Sequence, residues 1–226
     1  MMKMINLQKT ILMKRTLFTI FLIIGFYTLP AFCQETKKSP AGLGIEMGLG
    51  YNMMGLSTKT DSGTFTTNYR KMWIQPCIRI HYDIKVRDFD TRGNRLKIKT
   101  LLSYYTFGGK AEVSDIGEYN IVSFSSLEAG AGLAFEIINM FQLTPMIKGQ
   151  YVFAANERYI REIRKEPTDI KNQTNLFNYN AGLQFRYRFK HFTIALEGWY
   201  GLSDVHKSEA KTARESNYRF LFGYEF

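Results

Sequence analysis

The sequence predicts an all-β fold: an eight-stranded antiparallel up-and-down transmembrane β-barrel, preceded by a cleaved signal peptide. Three observations lead to this prediction. One short apolar run lies near the N-terminus, apolar and polar residues alternate from Ala41 onward, and the chain ends in a strand of alternating aromatic residues. Aromatic residues form 15% of the chain, which favours strands, and the mildly negative mean hydropathy excludes a bundle of apolar spanning helices.

The N-terminal segment, residues 1–33, has the composition of a secretory signal. Basic residues precede the apolar run Leu17–Leu29, which is short for a membrane span, and small residues follow it. We expect cleavage after Cys33, which leaves residues 34–226 as the barrel domain. The alternative is a lipoprotein cysteine at Cys33, against which the bulky Phe32 counts.

Eight segments with a period of two follow the signal. In each, apolar and aromatic residues occupy one face while glycine, amide and charged residues occupy the other. Each is about ten or more residues long, the length that a tilted strand needs to cross the hydrocarbon layer. An even number of antiparallel strands allows the sheet to close, so that no unpaired edge faces lipid. The segments cover residues 41–52, 72–84, 96–104, 127–137, 143–153, 177–189, 192–202 and 218–226.

The connections between the segments alternate in length. Short connections at 138–140 and 190–191 predict periplasmic turns, and longer ones predict external loops. The connection at 85–95 is longer than this rule expects, but it is rich in charge. The predicted external loops cover residues 54–70, 108–120, 154–175 and 203–216.

We expect the apolar face of the strands to point outward. It carries almost no charge over eight strands, whereas the exterior of a water-soluble barrel is richly charged. The alternative is a soluble lipocalin-like carrier with the apolar face turned inward around a ligand. Pro76 and Pro145 fall within predicted strands and cannot donate to the ladder, so they are expected to mark bulges or the ends of pairing.

Charged residues on the polar face predict a network of ion pairs that plugs the lumen. Neighbouring strands often carry opposite signs, with Arg79 beside Lys99 as the exception, and buried charge needs a partner. A gated ion path is the alternative, but an eight-stranded barrel is only wide enough for its own side chains. The predicted network consists of Glu46, Arg79, Lys99, Glu128, Lys148, Arg186, Glu197 and Arg219.

The last strand resembles the C-terminal signal of bacterial outer-membrane barrels. Its aromatic residues are Tyr218, Phe220, Phe222, Tyr224 and Phe226. In that family the assembly machinery reads such a strand, so the resemblance implies transient contact with that machinery. Residues 41 to 226 resemble the small OmpA/OmpX-type and PorT-like barrels in pattern and length. The resemblance implies a bacterial outer-membrane location, contact with its lipid and lipopolysaccharide, and a structural, binding or secretion-assembly role without a cofactor.

The predicted loop 154–175 is the candidate for external binding. Arg158, Arg161, Arg164 and Lys165 lie there and suit lipopolysaccharide phosphates or a protein partner, although a solvated, salt-bridged loop is the plainer interpretation. Nucleic acid is not expected, because the basic residues of the chain are otherwise scattered.

Two other combinations resemble sites of chemistry. His206 and Ser208 have the spacing found in lipid A deacylase barrels of the PagL type, with Glu209 or Glu215 as the acid, but we expect no enzyme. His81 and Asp83 share one face of a predicted strand, yet two ligands without a third do not make a metal site, so none is predicted.

Overall fold

The computed structural model describes residues 42–60, 63–69, 75–112, 119–160, 167–207 and 211–226. The predicted signal peptide and its cleavage point lie outside the described residues. Within the described part of the chain, no helix is long and apolar enough to cross a membrane.

Antiparallel strands form a closed ring, because the last strand pairs with the first. The predicted fold class is confirmed, since eight strand positions make up this ring. A 3₁₀ turn lies at Lys171–Gln173. The strands are β1 Gly42–Thr60, β2 Gly63–Tyr69, β3 Gln75–Asp88, β4 Arg95–Glu112, β5 Tyr119–Ile137, β6 Phe141–Ile160, β7 Thr168–Asp169, β8 Phe177–Phe189, β9 Phe192–Gly201 and β10 Lys211–Glu225.

Two consecutive strands share one position of the ring. β2 pairs with Met54–Thr60 of β1, and β3 pairs with Gly42–Gly50 of the same strand. The two-residue strand β7 pairs with β6 and lies off the ring. Around the ring, the strands follow the order β1, β3, β4, β5, β6, β8, β9 and β10.

The apolar face of the strands points outward over the half of the barrel that holds the short turns. Met47 is 60% exposed and Phe222 is 52% exposed, while the alternating Glu46 and Arg219 are almost fully buried inside. This arrangement confirms the predicted direction of the apolar face and is opposite to that of a lipocalin-like carrier. The outward apolar side chains form a continuous surface around the ring, here called the apolar belt, which runs along β10 from Tyr218 and ends at Phe226 directly after the strand.

Tyrosines mark the end of the apolar belt that lies farther from the short turns. The register places Tyr51 opposite Tyr218, and places Tyr104 and Tyr151 on either side of Leu127. Aromatic girdles of this kind occur where a barrel passes from hydrocarbon to water. This tyrosine girdle consists of Tyr51, Tyr104, Tyr151, Tyr179, Tyr200 and Tyr218.

Beyond the tyrosine girdle the strands continue, and the apolar face changes sides. Met54, Phe107 and Phe124 point inward and are buried, whereas the outward positions include Ser123 and Arg214. Apolar residues inside and polar residues outside are what a barrel surrounded by water requires. The strand portions beyond the girdle, here called the extension, cover residues 53–60, 63–69, 106–112, 119–125, 152–160 and 211–216.

The extension corrects the predicted loops. Residues assigned to the loops 54–70, 108–120, 154–175 and 203–216 lie partly in strands. The prediction ended each strand where the outward apolar pattern ended, but backbone pairing does not depend on which face is apolar. The strands therefore continue beyond the apolar belt, where the apolar face is buried inside and the polar face is solvated outside.

The two prolines lie where pairing ends or is interrupted. Pro76 is the second residue of β3, opposite Leu49, so it lies at the end of that strand. Pro145 pairs with Leu183 of β8, but the ladder between β5 and β6 is interrupted beside it. A separate bulge at Phe153 shifts the register of β6, so that Val152 and Ala155 both face inward.

The charged connection at 89–94 is held by the neighbouring turn. Asp90 accepts hydrogen bonds from the backbone of Arg92 and Asn94, and Asn94 Oδ1 accepts one from Ile138 N at 3.0 Å. Gly93 has φ of 92°, a conformation that favours glycine, and a Cβ there would collide with Asn139. The three turns at 89–94, 138–140 and 190–191 define the short-turn end of the barrel.

Candidate functional site

All the charged residues of the predicted lumen network lie inside the barrel, and none is more than 3% exposed. They come from all eight strand positions of the ring, one from each, and each residue occupies an inward site of the period-two pattern. Ion pairs join them into two groups along the barrel, one toward the short-turn end and one beneath the tyrosine girdle.

The group toward the short-turn end is centred on Glu46. Arg79 Nη1 lies 3.2 Å from Glu46 Oε2, Arg186 pairs with Oε1 of the same carboxylate, and Lys99 Nζ lies 3.7 Å from Oε1. Arg79 also pairs through both Nη atoms with Glu197, where the Nη2–Oε2 distance is 2.8 Å. One guanidinium therefore bridges two carboxylates from β1 and β9.

The second group is centred on Glu128. Both Nη atoms of Arg219 donate to this carboxylate at 2.7 Å, and Lys148 Nζ donates to it at 2.6 Å. The Arg219 guanidinium lies 3.6 Å from the centroid of the Tyr105 ring, and Lys148 Nζ lies 4.3 Å from that of Trp199. Aromatic faces thus shield the charges that the carboxylate does not cover.

The sequence predicts ion pairs between neighbouring strands, and the structure shows these together with ion pairs that cross the lumen. Glu46 with Arg79 and Glu128 with Lys148 are neighbouring pairs. Arg186 instead reaches from β8 to Glu46 on β1, and Arg219 reaches from β10 to β5. In so narrow a barrel, long arginine side chains span the interior, so opposite walls are as accessible as adjacent ones. Glu46 also contacts both Arg79 and Lys99, which accommodates the predicted like-charge exception.

Several lumen residues belong to the network although the prediction did not assign them to it. Gln184 accepts from Lys99 Nζ at 2.7 Å and donates to Glu197, and Ser103 donates to Glu128. At the short-turn mouth, Lys97 pairs with Glu136. These residues sit on the polar face of the alternating pattern, so their inward direction was readable, but their partners on distant strands were not. The remaining additions are Asp83, Arg188 and Glu225.

An apolar chamber fills the interior of the extension. Its walls come from six strands and its cover from the segments 167–176 and 202–207. The two covering segments are joined by backbone hydrogen bonds from Asn175 to Val205 at 2.7 Å and from Lys207 to Gln173 at 2.9 Å. A cavity of about 70 Å³ remains beneath the cover. The chamber is lined by Met54, Tyr69, Phe107, Val122, Phe124, Val152, Ala155, Val205 and Ala213.

Polar groups at the wall of the chamber are tied to one another. Asn120 Nδ2 donates to Tyr69 Oη at 3.2 Å and to Glu157 Oε1 at 2.5 Å. Burial, together with the nearby Glu157 carboxylate, raises the pKa of the Tyr69 phenol to about 12. The phenol therefore stays neutral over a wide pH range, as a group against an apolar chamber must.

The other predicted site residues are only partly within the described chain. His206 lines the cavity and forms a β-bridge with Thr174, whereas Ser208 and Glu209 lie outside the described residues. Glu215 is buried and accepts a hydrogen bond from Asn217.

The predicted external loop is likewise described only in part. Arg158 is half-buried in β6, while Arg161, Arg164 and Lys165 lie outside the described residues. The five aromatic residues of the predicted C-terminal signal are exposed, four on β10 and Phe226 directly after it, and β10 closes the ring against β1.

Small barrels of known structure are similar to this chain. Ail, the attachment invasion locus protein of Yersinia pestis, aligns with a TM-score of 0.46 and 12% identity over 83% of this chain and 100% of that chain. Neisserial surface protein A aligns with a TM-score of 0.43 and 10% identity over 81% and 97%. The outer membrane enzyme PagL aligns with a TM-score of 0.32 and 10% identity over 76% and 98%. No protein-family model and no curated protein matches the chain, and these distant likenesses say nothing about its role.

Proposed function

We propose that the protein is a bacterial outer-membrane barrel with a closed lumen, which acts through the extension that stands outside the lipid. The observation that carries this proposal is the reversal of the apolar face at the tyrosine girdle. A barrel surrounded by water throughout keeps its apolar residues inside, and one surrounded by lipid throughout keeps them outside. A barrel that does both spans a boundary between the two solvents.

The rule for short and long connections sets the orientation. Short turns face the periplasm in barrels of this kind, so the extension and its cover face the exterior of the cell. Cysteine labelling of intact cells tests this: a cysteine introduced at Thr212 reacts with a membrane-impermeant maleimide, and one at Arg92 does not. Labelling of Arg92→Cys alone would contradict the proposed orientation.

The lumen is proposed to be a plug and not an ion path. Arg79, Arg186 and Arg219 bridge opposite walls through carboxylates, so an ion would have to displace paired guanidinium groups in order to pass. In planar-bilayer recordings the pure protein is expected to give no sustained conductance. Sustained large conductance that disappears with heat-denatured protein would contradict the plug.

The extension is proposed to bind an anionic partner at the cell surface, with lipopolysaccharide phosphates as the chemistry that fits. Arginine forks suit phosphate, and the four basic residues of the predicted loop lie close together in sequence next to β6. Replacing Arg158, Arg161, Arg164 and Lys165 with serine should weaken lipopolysaccharide binding by the nanodisc-embedded protein. The matched control replaces Lys85, Arg87, Arg92 and Lys190, which lie toward the short-turn end. Equal binding by both variants would contradict this proposal.

We also propose a PorT-like part in secretion, on the basis of the resemblance in pattern and length. It predicts that affinity capture from intact outer membrane recovers a protein partner, and that replacing residues 161–166 of the predicted loop abolishes capture while the barrel still folds.

A non-enzymatic role is part of the same proposal. Mass spectrometry of lipid A, with and without the protein, should show unchanged acylation. Deacylation that depends on His206 and Ser208 would contradict it.

A further inference from the structure

Ring closure brings a third ligating residue to the pair His81 and Asp83. His81 and Asp83 lie on β3, and Glu225 lies on β10, with β1 between these two strands. Gly44 of β1 is the register partner of both His81 and Glu225. One ligand atom of each residue lies within 4.8 Å of the others. The sequence prediction of no metal site counted two ligands, because Glu225 becomes a neighbour only when the last strand meets the first.

Glycines on β1 make room for this cluster. A Cβ at Gly44 would lie 2.3 Å from the His81 ring, so any larger residue would displace the imidazole. A Cβ at Gly42 would lie 3.7 Å from Asp83 Cβ and 3.8 Å from Glu225 Oε2. The inner wall is therefore bare of side chains where the three residues converge.

His81 is buried, and neither of its ring nitrogens has a hydrogen-bond partner among the described residues. The residue is 1% exposed, Nε2 lies 3.7 Å from Glu225 Oε1, and Nδ1 lies 3.7 Å from Glu46 Oε1. Asp83 Oδ1 is also buried without a hydrogen bond. Buried polar atoms are almost always satisfied in native proteins, so unsatisfied atoms at a convergence of ligands point to an ion.

We propose that His81, Asp83 and Glu225 bind a divalent transition-metal ion of the zinc class. One imidazole and two carboxylates are a three-residue set that leaves a fourth position open, as zinc accepts. Calcium and magnesium prefer sets of oxygen ligands alone, so the imidazole selects against them. The ion would link β3 to β10 across β1 and so fasten the place where the barrel closes.

Two arginines occupy part of the coordination space and set the strength of binding. Arg186 Nη1 lies 2.8 Å from Glu225 Oε1 and 3.4 Å from Asp83 Oδ2, and Arg188 Nη2 lies 2.5 Å from Glu225 Oε2. Arg186 retains Glu46 when it releases these contacts, and the Arg188 side chain, 21% exposed at the mouth, can turn to water. Metal binding therefore exchanges contacts and leaves no charge stranded, so moderate affinity is expected.

The test is a Zn²⁺ titration of the folded, chelator-treated barrel in detergent, followed by competition with a chromophoric chelator. One equivalent should bind, and His81→Gln, Asp83→Asn and Glu225→Gln should each weaken binding by at least about tenfold. His206→Gln is the matched control and should keep binding unchanged, because His206 lines the cavity of the apolar chamber and belongs to none of the three ligands. Folding of every variant is checked by the mobility difference between unheated and heated samples.

Two outcomes would overturn the proposal. One is a folded wild-type barrel that binds no stoichiometric Zn²⁺. The other is binding that survives in His81→Gln or is lost in His206→Gln. If His81→Gln does not fold, the absorption spectra of Co²⁺ bound to wild type and to Asp83→Asn replace that comparison. A spectrum that Asp83→Asn changes supports the proposal, and identical spectra overturn it.

Discussion

The two halves of the barrel interior solve the same packing problem with opposite chemistry. Within the apolar belt the lumen is filled by charged side chains, whereas within the extension it is filled by the apolar chamber. The walls of both halves belong to the same continuous strands, so local backbone structure does not explain the difference. The solvent outside explains it: where lipid takes the apolar residues, polar ones are left for the interior, and where water surrounds the wall, the apolar residues turn in.

The largest effect is expected from a substitution that disrupts the charged lumen within the apolar belt. Glu128→Ala removes the carboxylate that both Arg219 and Lys148 contact and leaves two buried cations unpaired. The free energy of unfolding should fall by about 3–5 kcal/mol, measured by urea denaturation of the refolded barrel. Asp88→Asn is the control, because Asp88 is an exposed partner of Lys85 and its loss should change the free energy of unfolding far less. Similar losses for the two variants would contradict the view of a tightly coupled lumen.

A smaller effect sharpens the boundary between the halves. Met47 lies outward in the middle of the apolar belt, and Thr212 lies outward in the extension. Met47→Lys should reduce the free energy of unfolding in lipid by about 2–4 kcal/mol, because a charge then faces hydrocarbon. Thr212→Lys should change it by no more than about 0.5 kcal/mol, because that side chain already faces water. Unfolding in vesicles measures both, and equal effects would remove the evidence for a lipid boundary at the tyrosine girdle.

The smallest effect concerns the chamber alone. The pKa of Tyr69 rises from 10.0 to about 12 on folding, so the neutral phenol is favoured in the folded state. The stabilisation is complete below pH 10 and is lost as pH rises through about 12, since the unfolded phenol ionises first. The urea midpoint of wild type should therefore fall more steeply over this range than that of Tyr69→Phe. Parallel pH profiles would indicate that Tyr69 is not buried against the chamber.

Much of the barrel within the apolar belt could be predicted from the sequence, whereas the extension could not. The alternation at Leu43 to Tyr51 identifies a strand and its outward face, since neighbouring side chains point to opposite sides of a strand. The same rule applies to Ser123 and Phe124, but there the apolar residue points inward. A prediction based on an outward apolar face therefore does not recognise this segment as a strand. The tyrosines that end the belt on six strands are the signal that could have located this change.

For the apolar belt, the sequence by itself determined which residues form strands, which face each side chain takes and that charged residues line the lumen, because a period of two is a local property of the chain. Only the tertiary structure decided which charges pair, that Arg186 meets Glu46 and Arg219 meets Glu128, and that Glu225 joins His81 and Asp83. Along the chain, Arg186 lies 140 residues from Glu46, Arg219 lies 91 residues from Glu128, and Glu225 lies 144 residues from His81. Their proximity follows from closure of the ring and its small diameter, which no local pattern encodes.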